Sequence, residues 1–238
     1  FVGIGLYIGQ YLELEKEGLA EGWLQELLDR HGVCLAEIEV ISGLGVDGSG
    51  GEKAATFEEA AWRMADRFGC RYLQVIGPAG PIEGAARAFG ALCDRAADHG
   101  LVLGLEFLPF NDIYSADDAR RIVELAARSN GGVCLDIWHH ERGARDLEML
   151  RSLPGELITG VQMNDGPLVP EIDDYYTDCL ANRRAPGDGE FDIAEVVAIL
   201  RASGCAIPWS VEAPSRSGWV DPDAHVARLG VGMRRFLA

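Results

Sequence analysis

The sequence predicts one α/β domain over residues 1–238, a parallel (β/α)8 barrel whose working residues stand at the C-terminal ends of its strands. Three observations carry this prediction. An amphipathic helix, a glycine stop, a short strand and a polar loop recur in that order; the strands are almost continuously apolar; and four of them close on matched polar residues.

The elements follow in chain order. FVGIGLY opens the chain as an apolar strand near 2–7 with no initiator Met and no polar cap before it. The expectation is therefore an N-terminally incomplete barrel, with the first strand and helix lying ahead of residue 1. A second strand falls near 34–41, and the glycine-rich GLGVDGSGG at 43–51 reads as a mobile loop. TFEEAAWRMADRFG then reads as a helix opened by a capping box, Thr56 with Glu59. It places Phe57, Ala61, Met64, Ala65 and Phe68 on one face and stops at Gly69. A strand near 71–76 follows. The same phrase returns as PIEGAARAFGALCDRAADHG before a strand near 101–107, and as SADDARRIVELAARSNGG before one near 132–138. A strand near 158–163 comes next, then DIAEVVAILRASG before a strand near 207–212, and a last helix at 221–237. Ser115 and Asp192 are natural N-caps, with Asp118 and Glu195 three residues on. This makes seven strands, one short of a closed barrel.

Composition narrows the function. Lys plus Arg is 21 against 38 for Asp plus Glu, a formal charge of −17. Such a chain repels phosphate backbones and anionic membranes, and its basic residues come only in pairs such as Arg120 and Arg121 or Arg234 and Arg235, so nucleic acid and membrane are excluded as partners. The six cysteines (Cys34, Cys70, Cys93, Cys134, Cys179 and Cys205) form no CxxC and mostly lie in apolar runs, which predicts free buried thiols and a cytoplasmic protein. No apolar stretch approaches the length of a membrane span.

Four strands can be aligned on their last polar residue: LGLE at Glu106, VCLD at Asp136, TGVQ at Gln162 and WSVE at Glu212. One residue back stand Leu105, Leu135, Val161 and Val211, aliphatic and suited to packing beneath helices; two back, on the same face as the polar residue, stand Gly104, Cys134, Gly160 and Ser210, all small. A single Glu after an apolar strand ordinarily begins a solvated loop. Four matched ends instead suggest carboxylates aimed into one barrel mouth, where burial would cost several kcal/mol unless a cation compensated them. Two Glu, one Asp and one Gln form an oxygen-rich set for a single divalent ion, Mn²⁺ or Mg²⁺ before Co²⁺ or Zn²⁺. Glu39, also late in a strand, has no diagnostic residues after it and reads as structural.

LEFLPF, LDIWHH, VQMNDGP and RRAPGDGEFD followed by WSVE, in this order and spacing, resemble the xylose isomerase-like TIM barrels. The resemblance implies that Glu106, Asp136, Gln162 and Glu212 are metal ligands and that Glu106 and Glu212 also move protons. It implies that His139 and Arg183 bind substrate oxygens. Trp138 beside them reads as a pocket wall or packing rather than chemistry, and His140 as a loop neighbour. Gln162 stands where many relatives have His, which tilts the site towards harder ions and keeps a dehydratase reading open, since Gln also occurs there in the dehydroshikimate dehydratase branch. The endonuclease branch needs more histidine and acidic ligands than this chain supplies; His31, His99 and His225 fall at helix ends or in a late helix.

The chemistry so implied is proton abstraction beside a carbonyl, with a metal stabilising the enediolate and a second carboxylate deciding the outcome. The expectation is an isomerase or epimerase of a small keto-sugar or polyol. The alternatives are a dehydratase of a cyclic polyol ketone such as inosose or 3-dehydroshikimate, and a barrel that binds sugar without turnover. Its partners would be the small-molecule substrate and possible further copies of itself.

Overall fold

A computed structural model describes residues 1–19, 22–43 and 51–237; most of the glycine-rich 43–51 stretch lies outside the described residues. Seven strands occur among them, and they gather into two compact units. No helix among the described residues is long and apolar enough to cross a membrane.

The first unit spans Phe1–Glu106 and Ala119–Val133. It contains β1 (Gly3–Tyr7), α1 (Ile8–Lys16), α2 (Trp23–His31), β2 (Cys34–Ile41), α3 (Gly51–Phe68), β3 (Tyr72–Ile76), α4 (Ile82–Ala97) and β4 (Val102–Glu106), together with most of α5 (Ala116–Ala126) and the start of β5 (Gly131–Asp136). The first four strands pair in parallel in chain order. Their aliphatic faces, among them Ile38, Leu73, Val75, Leu103 and Leu105, are buried with Met64 of α3 and Phe89 and Leu92 of α4. The opposite face is polar and crowded. Tyr72 lies so close over Gly104 that a Cβ there would meet the phenol oxygen, and a Cβ on Gly5 would meet the Glu39 carboxylate, so the small residues in these strands make room for large polar neighbours.

The second unit spans Phe107–Asp118 and Cys134–Ala238. It contains the end of β5, α6 (Ile137–Arg142), α7 (Leu147–Ser152), β6 (Ile158–Met163), α8 (Tyr175–Ala181), α9 (Ile193–Ala202), β7 (Ser210–Val211), α10 (Arg216–Val220) and α11 (Pro222–Leu237). β6 and β7 are parallel, Gln162 opposite Ser210 and Met163 opposite Val211. Leu135, Val161 and Met163 are buried, and Val211 packs against Ala185, Ala213 and Leu229.

Three expectations are corrected. The Thr56 and Glu59 pair does not open a helix: α3 begins at Gly51, and the Thr56 hydroxyl instead donates back to the Glu52 carbonyl at 2.9 Å, as threonine does inside a helix. β5 ends at Asp136 rather than near 138, because the Asp136 side chain caps α6, and Trp138 and His139 are helical. β7 is only two residues long; Pro208, with no N–H, falls in the stretch expected to extend it. The capping residues Ser115 and Asp192 behave as the sequence predicts, each accepting from the backbone N–H three residues on.

Candidate active site

The site is built from strand ends and one loop of the second unit. Asp136 closes β5 and is wholly buried. Its Oδ1 accepts from the Trp138 N–H at 2.7 Å and from the Asn164 Nδ2 at 2.9 Å, and its Oδ2 accepts from the Arg183 Nη1 at 2.6 Å. The same Nη1 reaches the Glu212 Oε2 at 3.1 Å and the Glu212 carbonyl at 3.2 Å. One guanidinium thus bridges two carboxylates carried by different strand ends. Arg183 is held from behind by Cys179, whose carbonyl accepts from Nε and whose sulfur accepts from Nη2, both at 3.1 Å.

His139 Nε2 stands 3.2 Å from Arg183 Nη2, and Nδ1 stands 3.0 Å from the Tyr175 hydroxyl. A guanidinium only donates, so Nε2 must accept, which leaves the proton on Nδ1 facing Tyr175. Burial drives the His139 pKa down to about 4; Asp136 pulls it up, and Arg183 adds to the depression. The ring is accordingly neutral near pH 7. For Asp136, burial acts to raise the carboxyl, but Arg183 and His139, with the Asn164 hydrogen bond, together outweigh it and the group stays below the ordinary carboxylate range. Arg183 is raised well above its usual value, because the two carboxylates outweigh its own desolvation.

The loop that supplies Arg183 is organised by Asp165. Its Oδ1 accepts from the N–H groups of Gly166 (2.8 Å) and Phe191 (3.1 Å), and its Oδ2 accepts from those of Gly187 and Gly189, both at 2.9 Å. Four backbone donors converge on one buried carboxylate, and Asp165 pairs through its backbone with Arg184. Gly187 adopts φ +90°, a conformation a side chain resists, so the loop turns there. The two arginines separate: Arg183 is buried among the site residues, and Arg184 reaches outward to Glu171 at 2.7 Å.

Trp138 is fully buried. The Arg142 guanidinium lies 4.6 Å from the ring, that of Arg183 at 5.7 Å, and Phe191 meets it edge-on. Gln162 is buried, with its Oε1 accepting from the Cys134 thiol at 3.6 Å. His140 is buried against Glu141 at 3.0 Å and accepts the Asp146 N–H. Glu106 closes β4 in the first unit, buried, with its Oε2 accepting from the Gln74 Nε2 at 2.7 Å. The second unit therefore brings together Asp136, His139, Arg183 and Glu212. Asn164, Asp165, Tyr175 and Cys179 belong with them and were not singled out from sequence, although Asn164 lies two residues beyond Gln162 and so on the same side of the extended strand.

A parallel α/β architecture with buried acids and amides at its strand ends is that of an α/β barrel. The chain belongs to the xylose isomerase-like TIM barrel family, whose model matches residues 3–235. It is 35% identical over 139 residues to a 3-dehydroshikimate dehydratase of Pseudomonas aeruginosa, a stretch that covers 55% of this chain and 22% of that protein. Among solved structures it resembles the IOLI protein with a bound zinc atom (TM-score 0.80, 17% identity, 100% of this chain and 90% of that one). It also resembles a D-allulose 3-epimerase from Methylomonas sp. (TM-score 0.74, 16% identity, 100% and 87%).

Proposed function

We propose that this protein is a divalent-metal-dependent enzyme that removes a proton beside the carbonyl of a small polyol ketone and expels a β-hydroxyl as water. The observation that carries this reading is the bridging of Asp136 and Glu212 by one buried cation, with neutral His139 beside it. The dehydratase outcome is placed first because of the 35% identity to a dehydratase over half of this chain and because Gln162 resembles that branch.

The residues suit a metal. Asp136 and Glu212 already bind positive charge, and Gln162 offers a neutral amide oxygen. The Oδ1 of Asn164 is buried with no hydrogen-bond partner among the described residues, an acceptor left for a substrate hydroxyl. Asp136, Gln162 and Glu212 of the second unit would hold the ion. When bound, it would polarise the carbonyl and stabilise the negative charge that forms as the α-proton leaves.

The chain's own groups do the rest. One glutamate takes the α-proton; the C–O bond to the β-hydroxyl breaks, and that oxygen leaves as water with a proton from the site. His139, protonated on Nδ1, accepts from Arg183 through Nε2 and so positions the guanidinium that grips a substrate oxygen. Epimerisation is the second reading, since the family motif implies two glutamates that move protons, and a proton taken from one face and returned to the other gives the epimer.

The test is turnover of 3-dehydroshikimate, inososes and ketoses after loading with Mn²⁺, Mg²⁺, Co²⁺ or Zn²⁺. The expected result is metal-dependent formation of a conjugated dehydration product. Exchange of solvent deuterium with recovery of an epimer would select the second reading, and no turnover with any metal would overturn both.

A further inference from the structure

Asp136 has little capacity to spare. Its Oδ1 is engaged by the Trp138 N–H, the more distant His139 N–H and the Asn164 amide, three donors fixed by α6 and the end of β6. A cation must therefore approach Oδ2, the atom that accepts from Arg183 at 2.6 Å. At Glu212 the same nitrogen sits on Oε2. From these contacts we infer that Arg183 and the divalent ion are rivals for Asp136 Oδ2 and Glu212 Oε2. The guanidinium neutralises the carboxylates until the ion arrives, and the ion's entry releases it towards the substrate. This rests on the metal reading above and extends it: metal must bind before the substrate oxygen that Arg183 grips.

The geometry supports a swing rather than a rebuilding. Nε and Nη2 of Arg183 are held by Cys179, so a turn of the planar guanidinium about those two contacts would carry Nη1 off the carboxylates. The face of Trp138 lies 5.7 Å from its guanidinium and offers a resting place for the released charge.

Arg183→Gln removes the rival and keeps a polar side chain. Mn²⁺ titrated calorimetrically into metal-stripped protein should bind this variant about tenfold or more tightly than the wild type, as expected when a charge-assisted hydrogen bond no longer has to be broken. The stripped variant should also melt at a lower temperature than the stripped wild type, since its carboxylates have lost their counter-charge. Guanidinium ion at sub-denaturing concentration should weaken Mn²⁺ binding to the variant and leave the wild type unaffected, a response that a purely structural role would not produce. Arg183→Lys serves if the Gln variant does not fold; its point charge should give intermediate affinity. Arg184→Gln, which touches only exposed Glu171, should match the wild type. Equal Mn²⁺ affinity in wild type and Arg183 variants overturns the rivalry while leaving the metal reading intact. Failure of the wild type and of every variant to bind Mn²⁺ or Zn²⁺ overturns both.

Discussion

Asp136 divides its two oxygens between tasks: one caps a helix and the other faces a cation. The glutamates are of another kind, because only they can carry a proton away. Glu212→Gln keeps an oxygen ligand and removes a base, so metal content should be largely retained while single-turnover rate falls about 10²–10⁴-fold. A variant that keeps full rate would make Glu212 a ligand alone. Gln162→His should do the reverse, shifting preference towards softer ions and leaving a measurable rate. The ends of the strands were legible because four of them repeat one pattern of small, aliphatic and polar residues. Tyr175 and Cys179 were not, since they reach the site from α8, and no local pattern announces that a helix far along the chain will meet His139 and Arg183. The buried thiols carry a pH dependence of their own. Burial raises Cys70 and Cys179 to about 11 and Cys93 to about 12, from 9.0. A folded value above the unfolded one gives stability that is complete below pH 9 and lost as pH rises towards the folded values. Between pH 8 and about pH 10.5 the urea midpoint should fall by the equivalent of roughly 2 kcal/mol per thiol, and Cys93→Ala should flatten part of that decline.

The RRAPGDGEF loop is the element on which the site depends. Asp165 holds three of its backbone N–H groups, beside that of Gly166, and so fixes where Arg183 emerges. Asp165→Ala leaves those donors buried and unanswered, and unfolding free energy should drop by about 3 kcal/mol or more; retention of wild-type stability in urea would show that water satisfies the loop instead. Gly166→Ala tests the same packing by another route, since a Cβ there would meet the Trp138 ring. Sequence reasoning singled out Arg183 from the RRAPGDGEFD motif, a signal carried by neighbouring residues. It did not identify Asp165 as the hub, because those donors are up to 26 residues further on. Helix starts show the same limit. Ser115 and Asp192 cap as expected, but the Thr56 box was overridden when α3 extended back to Gly51. A capping motif has no force inside a helix that continues past it.

For the whole chain, the formal charge of −17 should make the protein bind anion exchangers firmly at neutral pH and reach its lowest solubility near its pI of 4.6. Metal is expected to be part of its stability. An ion that binds only the folded state contributes about 2.7 kcal/mol at a hundredfold excess over its Kd, so chelation should lower the melting temperature and Mn²⁺ should restore it; a melting point indifferent to chelator would argue against a resident ion. The alternating helices and strands made this barrel legible from periodicity alone, whereas the seat of its cations depended on long-range contacts. Trp138 gives that seat an optical handle. Of the chain's five tryptophans, Trp138 has two guanidinium groups against its ring, one of them that of Arg183. A positive charge that moves by an ångström or two changes the local field on the indole and with it the colour and intensity of its emission. The fluorescence of the unlabelled protein should therefore respond to Mn²⁺ or Zn²⁺, and that response should vanish in Trp138→Phe, so that the molecule reports its own occupancy.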